Sequence, residues 1–273
     1  MSAERRYLQE LIIAELGVPA SFDPDSEIER RVEFLADQLR RTGATSYVLA
    51  ISGGVDSAVA GRLCRLAVER VRSEGSQATF IAMRLPYGVQ ADEADAQRSL
   101  EFIKPDETLV VNVKPATDAM VESVRHAGLG DREDYHVGNI KARQRMVAQY
   151  VVAGARGGLV VGTDHAAEAV MGFFTKYGDG AADLTPLSGL TKRRVREVGS
   201  RLGASDEITG KVPTADLETN NPGVPDEVVL GVTYDEIDDF LEGREVDDKA
   251  AATIIAAHRR TAHKRAVPLA FTG

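Results

Sequence analysis

The sequence predicts an α/β fold with a doubly wound, mostly parallel sheet and helices on both faces. Three observations support this fold class. Four short apolar stretches are typical of buried strands, each is followed by helical spacing, and the first ends in a glycine turn that opens a helix. Strands separated by helices form parallel sheets, which bind ligands beyond the carboxyl ends of their strands.

Strand and helix segments alternate along the chain. The predicted strands span 47–51, 79–83, 108–113 and 159–162. The helices that follow them extend to about residue 73 and over 91–103, 116–126 and 164–171.

Further helices are predicted outside this alternation. A capping box at 26–29 begins a helix whose apolar stripe ends at Gly43. Two more helices are expected over 139–154 and 191–202.

Two polar stretches near the end of the chain are interpreted differently. The stretch 209–231 is rich in Pro, Asn and Gly, and we expect a loop there that orders when ligand binds. Asp235, Asp238 and Asp239 are interpreted as a solvent-exposed helix face.

The composition is that of an ordinary globular protein. Its 273 residues are 43% hydrophobic, and no apolar run approaches the roughly 18 residues that span a bilayer. A net charge of -9 argues against a protein that coats nucleic acid, so a phosphate-bearing substrate needs a local Lys and Arg cluster. The single Cys64 excludes a disulfide framework and a CxxC metal site, and the N-terminus lacks a signal-peptide core. We therefore expect a cytoplasmic protein.

The segment SGGVDS at 52–57 is the strongest functional signal. Its glycines let backbone N–H groups approach an anion, and the helix N-terminus behind them adds partial positive charge. Ser52 and Ser57 can donate from their hydroxyls, and Asp56 offers an oxygen ligand to a phosphate-bound Mg²⁺. The alternative is a tight turn in which Ser and Asp only cap the helix. The coincidence of glycines, hydroxyls and carboxylate favours a phosphate site.

A second polar cluster, GTDHAAE at 162–168, follows the fourth strand. Thr163 or Asp164 can simply cap the next helix, and His165 can be a structural histidine. Glu168 lies one turn further, at the carboxyl edge of the sheet, where parallel pairing can bring it near Asp56. Two oxygen ligands suit Mg²⁺, so we expect Asp56 and Glu168 to bind that ion.

The segment GFFTKYGDGAAD at 172–183 combines aromatic residues with Lys176 and Asp179. A core does not accommodate the charges, and a simple linker does not need the aromatics. A substrate-binding loop accounts for both. A small basic cluster at 263–265 has a solvated helix end as its alternative interpretation.

These segments together resemble the ammonia-dependent NAD synthetases of the N-type ATP pyrophosphatase superfamily, over nearly the whole chain. SGGVDS marks the superfamily, whereas GTDHAAE and GFFTKYGDG single out NAD synthetase. Three further matching segments are RLPYG at 84–88, GNIKAR at 138–143 and PTADL at 213–217. The resemblance implies an adenine nucleotide alpha hydrolase-like fold and a single domain over 1–273, with no glutaminase domain.

The resemblance implies that ATP and ammonia convert deamido-NAD (nicotinic acid adenine dinucleotide) to NAD, AMP and pyrophosphate, the final step of NAD biosynthesis. The nicotinate carboxylate would attack the α-phosphorus of ATP, forming an adenylate and releasing pyrophosphate. Ammonia would then displace AMP. The family also implies a homodimer with the dinucleotide site at its interface.

The resemblance also implies which residues bind each substrate. Asp56 and Glu168 would hold Mg²⁺, and Lys192 would stabilise phosphate charge as the catalytic residue. The ATP-binding residues would be Ala50, Ile51, Ser52, Gly53, Gly54, Val55, Asp56, Ser57, Arg84, Thr163, Lys192 and Thr214. The residues that bind deamido-NAD would be Arg143, Lys176, Asp183, His263 and Lys264. Family members often have Gly and Gln at positions 50 and 55, so Val55 removes a side-chain contact but keeps its N–H.

A few residues indicate the nitrogen donor and argue against two other functions. Glutamine-dependent relatives use a nucleophilic cysteine, whereas Cys64 lies among apolar residues on a helix, so free ammonia is the expected donor. Another pyrophosphatase-type ligase would leave the 172–180 segment unexplained. A nucleotide-binding module without turnover would not need Glu168 beside Asp56.

Overall fold

The structure, a computed structural model, describes residues 2–88, 93–129, 134–214, 224–268 and 270–271. In these ranges one parallel sheet is formed by β1 (Ser46–Ala50), β2 (Thr79–Arg84), β3 (Glu107–Val110) and β4 (Gly158–Val160), in the order β3-β2-β1-β4. Ser46 pairs with Thr79 on one side and with Gly158 on the other, which puts β1 at the centre.

Helices occupy most of the remaining described chain. The helices before and within the sheet are α1 (Ala3–Glu15), α2 (Pro24–Thr42), α3 (Val55–Ser73), α4 (Glu93–Ile103), α5 (Lys114–Val124) and α6 (Asp134–Ala155). Those after β4 are α7 (Ala166–Met171), α8 (Lys192–Arg201), α9 (Asp206–Thr209), α10 (Asp226–Leu230), α11 (Tyr234–Leu241), α12 (Asp248–Arg260) and α13 (Ala262–Arg265). A π-helical turn over Arg125–Leu129 follows α5.

Helices cover both faces of the sheet because successive strand residues point to opposite sides. Tyr47 and Leu49 lie in a core with apolar side chains of α2, α3 and α8. Val48, between them, lies in a second core with Met83 of β2 and Ala153 of α6. The predicted α/β, doubly wound fold is confirmed.

A third apolar cluster joins α1, α7, α11 and α12, with Phe240 and Ile254 fully buried. It fixes α7 and α11 against each other, and these two helices carry polar groups of the site described below. Among the described residues, no helix combines the length and apolarity needed to cross a membrane.

The beginning of α2 differs from the capping box predicted at 26–29. Asp23 is the N-cap and accepts the Ser26 N–H at 2.9 Å, while Pro24 occupies the first turn. Proline suits that position because its missing N–H would have no partner in the helix. The predicted end at Gly43 is confirmed, since Gly43 adopts the left-handed conformation with φ 71°.

Other predicted boundaries also shift. The third strand ends at Val110, not at residue 113, and α5 begins at Lys114 because Pro115 favours a helix N-terminus. Helix α6 begins at Asp134, five residues before its predicted start. Helix α10 interrupts the predicted 209–231 loop; residues 91 and 92 of the predicted 91–103 helix and 215–223 of that loop lie outside the described residues.

Candidate active site

The glycine turn after β1 leads into α3 at the carboxyl edge of the sheet. Gly54 is the N-cap of α3, and no side chain caps that helix, so the interpretation of Asp56 as a simple cap is wrong. Ser57 donates to the Gly54 carbonyl at 3.1 Å, and the Ser52 hydroxyl accepts the Gly54 N–H at 3.2 Å. The two hydroxyl oxygens are 3.1 Å apart. The two hydroxyls therefore bond to the backbone of a glycine turn at a helix N-terminus, which is a position where anions bind in proteins.

Asp56 is directed away from its own helix toward α8. Its Oδ2 lies 2.7 Å from Nζ of Lys192, a side chain that is only 2% exposed. Burial raises the pKa of Asp56, but the charge of the neighbouring Lys192 ammonium and its hydrogen bond outweigh burial, so the pKa is lowered overall. Burial lowers the pKa of Lys192, but the charges of Asp56 and Glu168 raise it more. The pair is therefore ionised at neutral pH.

Helix α8 presents Lys192 from its first turn because two side chains fix that terminus. Thr191 is the N-cap and accepts the Arg194 N–H at 3.3 Å. Asp238 of α11 accepts the N–H groups of Lys192 at 3.0 Å and of Arg193 at 2.7 Å. Asp238 is 1% exposed, so its predicted position on a solvent-exposed face is wrong.

Helix α7 brings Glu168 to Asp56 as the sequence predicts. The cap of α7 is neither Thr163 nor Asp164 but His165, whose Nδ1 accepts the Glu168 N–H at 3.4 Å. One ligand atom from each of Asp56, His165 and Glu168 lies within 4.8 Å of the others. Burial raises the pKa of Glu168 well above its usual value, and the nearby Asp56 carboxylate raises it further.

The same cluster contains polar atoms that need a partner. Oδ1 of Asp56 and Nε2 of His165 are buried and have no hydrogen-bond partner among the described residues, and they lie 3.5 Å apart. Burial lowers the pKa of His165 to about 3, so its imidazole is neutral. The carboxylates of Asp56 and Glu168 converge, and one Asp56 oxygen has no described partner, which fits a hard divalent cation such as Mg²⁺.

The other residues expected at ATP include Arg84, which contacts the chain just before the glycine turn. Arg84, at the end of β2, is 3% exposed, donates to the Ile51 carbonyl at 3.3 Å and pairs with Glu93 at 2.8 Å. The Ala50 N–H donates to Gln149 of α6 at 3.0 Å. Thr163 is half-buried just beyond β4. Thr214 is exposed and forms an isolated β-bridge with Pro225.

The residues expected at deamido-NAD gather around the 172–183 segment, with one exception. Arg143 donates to the Lys176 carbonyl at 3.2 Å, and Lys264 donates to the carbonyls of Gly172 at 2.8 Å and Phe174 at 2.7 Å. Asp183 accepts the Val160 N–H of β4 at 2.7 Å. His263 is exposed on α13. Lys264 thus orients the segment through its backbone.

Two groups that were not assigned from the sequence help to build the site. The Tyr234 ring lies 5.1 Å from Lys192 Nζ and encloses the ammonium. The sequence does contain a signal that Asp238 is buried. Asp238 falls in an i, i+3, i+4, i+7 stripe, which is the buried face of α11 and consists of Tyr234, Ile237, Asp238 and Leu241. No local pattern indicates that His165 caps α7.

Comparison with known proteins identifies the family. A sequence profile described as NAD synthase matches residues 27–268. The chain is 61% identical to the NH(3)-dependent NAD(+) synthetase of Streptomyces coelicolor, over 96% of this chain and 97% of that protein. It is 58% identical to the enzyme of the same name from Burkholderia lata, over 98% and 96% of the two chains.

Solved structures agree with the sequence comparison. NAD+ synthetase from Burkholderia pseudomallei superposes with a TM-score of 0.85 at 54% identity, covering 98% of this chain and 99% of that one. NMN synthetase from Francisella tularensis superposes with a TM-score of 0.82 at 35% identity, covering 93% and 100%. The resemblance to ammonia-dependent NAD synthetases is confirmed, and the chain belongs to the NAD synthase family.

Proposed function

We propose that the chain amidates deamido-NAD with ammonia at the expense of ATP, giving NAD, AMP and pyrophosphate. The observation that carries this proposal is the pairing of a glycine turn at a helix N-terminus with a buried Lys192–Asp56 ion pair and Glu168. This set of groups can bind and neutralise a triphosphate whose pyrophosphate leaves. Amide formation from a carboxylate needs such activation, because the carboxylate oxygen is a poor leaving group.

The chain's own cations would act on the phosphates. Lys192 stays protonated because Asp56 and Glu168 raise its pKa more than burial lowers it. Its buried ammonium would stabilise charge that develops as pyrophosphate departs, and such charges act strongly where water is excluded. Arg84 is held by the Ile51 carbonyl at the edge of the same turn, 3.3 Å away. From there its guanidinium would contact the nucleotide.

Asp56 and Glu168 are the groups suited to hold Mg²⁺. When bound, the ion would supply Lewis-acid stabilisation of the phosphate charge. His165 is a less suitable ligand, because its Nδ1 accepts the Glu168 N–H and the neutral ring then carries its proton on Nε2. That ring nitrogen lies 3.5 Å from Asp56 Oδ1 and makes no described hydrogen bond.

The 172–183 segment is the proposed binding surface for deamido-NAD. Arg143 and Lys264 donate to its backbone carbonyls and so connect the segment to α6 and α13. Phe173 and Phe174 are half-buried and offer ring surface beside the charges. Arg143, Lys176 and Asp183 would contact the dinucleotide through charge and hydrogen bonds, and His263 would join them from α13.

A homodimer is the proposed assembly, with the dinucleotide site at the interface. Val147 and Val151, one turn apart on α6, are 48% and 66% exposed. Val110, on the edge strand β3, is 68% exposed. Exposed apolar side chains on a long helix, and a strand at the edge of the described sheet, are features that interfaces cover.

The proposed function is tested by pyrophosphate release from the purified chain with ATP, Mg²⁺ and ammonium. We expect release only when deamido-NAD is added, with one NAD formed per pyrophosphate. Nicotinic acid mononucleotide is the matched alternative substrate, because one structural relative is an NMN synthetase. Release that does not depend on deamido-NAD, or that favours the mononucleotide, would contradict the proposal.

A further inference from the structure

Helix α4 packs against Gly53, the first of the two adjacent glycines in the turn. Gly53 has φ +87°, and a Cβ there would lie 2.9 Å from the Ala96 backbone nitrogen and 3.0 Å from Asp95 Cβ. The first turn of α4 therefore packs directly on the glycine turn. A side chain at position 53 would push the two apart.

Lys211 joins the same two segments from a third part of the chain. Its Nζ lies 2.6 Å from Oδ2 of Asp95 and 3.4 Å from the carbonyl oxygen of Gly53. Both charged side chains are 25% exposed, so their interaction is less screened than a fully exposed pair. The hydrogen bond from Lys211 is the largest influence that lowers the pKa of Asp95.

The Lys211 contact matters because a peptide unit is planar. In a trans peptide the Gly53 carbonyl and the Gly54 N–H point to opposite sides, so a cation on the carbonyl also fixes the N–H. Two adjacent glycines can otherwise rotate this unit at little cost. The Gly54 N–H is on the side of Ser52, whose hydroxyl it contacts at 3.2 Å. Ser52 is among the residues proposed to bind ATP phosphate, so the Gly54 N–H points toward the proposed anion site.

We propose that Lys211 is a positioning residue for the phosphates of ATP: with Asp95, it holds the Gly53–Gly54 peptide so that the Gly54 N–H faces the nucleotide. The inference rests on the proposed function, because it assumes that the 52–57 turn binds ATP phosphate. Lys211 also lies three residues before Thr214, which is itself expected at ATP.

Lys211→Met tests the proposal, with Arg98→Met as the matched control. Arg98 is the other cation paired with Asp95, but it has no described contact with the turn. We expect Lys211→Met to raise the KM for ATP about tenfold, the loss typical of one hydrogen bond from a charged donor. The KM for deamido-NAD and the melting temperature should match those of Arg98→Met. Lys211→Arg can reach both partners and should restore ATP binding.

Titration calorimetry with a non-hydrolysable ATP analogue and Mg²⁺ separates this inference from the proposed function. The Lys211→Met defect should appear there even if the chain fails to turn over deamido-NAD. Equal affinities for Lys211→Met and Arg98→Met would overturn the positioning role. So would a loss of affinity that tracks a lower melting temperature and is not restored in Lys211→Arg.

Discussion

Lys192 and Asp56 form an ion pair that stability alone does not require. Lys192 is 2% exposed and Asp56 17%, so both charges are largely removed from water. Apolar replacements of such a pair are often as stable, whereas removing one partner costs about 3–5 kcal/mol because the other charge is left unpaired. A pair of this kind at a glycine turn is therefore better explained by phosphate chemistry than by folding.

Glu168→Gln should separate activity from stability. The glutamine keeps the shape of the side chain but removes the charge proposed to bind Mg²⁺, so kcat should fall at least about 100-fold. The melting temperature should stay the same or rise, because burial and Asp56 disfavour the Glu168 carboxylate in the metal-free protein. Rates over a Mg²⁺ titration and thermal melts measure the two effects.

The exposed Glu101→Gln on α4 serves as the control for loss of one negative charge and should leave the rate unchanged. Near-normal turnover of Glu168→Gln at saturating Mg²⁺ would show that Glu168 is not a metal ligand. Asp56→Asn should lose activity as well, but with a lower melting temperature, because it leaves Lys192 buried without its partner.

At the scale of single elements, the N-terminus of α8 depends on α11. Asp238 accepts the Lys192 and Arg193 N–H groups and so fixes the direction in which the Lys192 side chain leaves the helix. Burial raises the pKa of Asp238 from 3.8 to about 6, although the two N–H bonds oppose the rise. A pKa that is higher in the folded state favours folding at low pH, and this contribution is lost as pH rises through about 6.

Asp238→Asn should therefore change the pH dependence of stability. Between pH 4.5 and 7.5 the wild-type protein should lose about 2 kcal/mol of unfolding free energy relative to the variant, which cannot titrate at this position. Urea unfolding at several pH values measures the difference. Asp235→Asn, on the same helix but 84% exposed, should follow the wild-type curve. Parallel curves for wild type and Asp238→Asn would contradict the account.

The elements that could be predicted are those whose pattern is local. β1 and β2 are buried on both faces, so their apolar runs identify them, and Gly43 ends α2 because only glycine readily adopts its conformation. The approach of Glu168 to Asp56 could be expected because both follow predicted strands of one parallel sheet, but the pairing of β1 with β4 that brings them together is seen only in the structure. Lys211 contacts Gly53 across 158 residues of chain, and no sequence spacing encodes such a contact.

For the whole molecule, the position of the single thiol bears on the nitrogen source. Cys64 is completely buried in the core beside β1, and burial raises the pKa of its thiol. A buried, protonated thiol cannot attack glutamine. We predict that ammonium supports NAD formation by the purified chain and glutamine does not, and that Cys64→Ser keeps the ammonium-dependent rate. Product from ammonia-free glutamine would contradict this.

The proposed dimer gives a prediction at the same scale. Val151→Asp places a charge on the exposed apolar face of α6 and should convert a dimer to monomers in light scattering after gel filtration. If the dinucleotide site lies at the interface, the KM for deamido-NAD should rise as the dimer dissociates into monomers. The exposed Arg41→Asp on α2 is the control. A Val151→Asp protein that keeps wild-type mass would exclude this face as the interface.

Tracing a carboxylate oxygen of deamido-NAD into the products is the most direct test of adenylate formation. Deamido-NAD labelled with ¹⁸O in its nicotinate carboxylate is turned over with ATP, Mg²⁺ and ammonium, and the products are analysed by mass spectrometry. Attack of the carboxylate on the α-phosphorus leaves one ¹⁸O in AMP and none in pyrophosphate, while the amide keeps the other. AMP without label, or label in inorganic phosphate or ADP, would contradict a site built for adenylate formation with pyrophosphate as the leaving group.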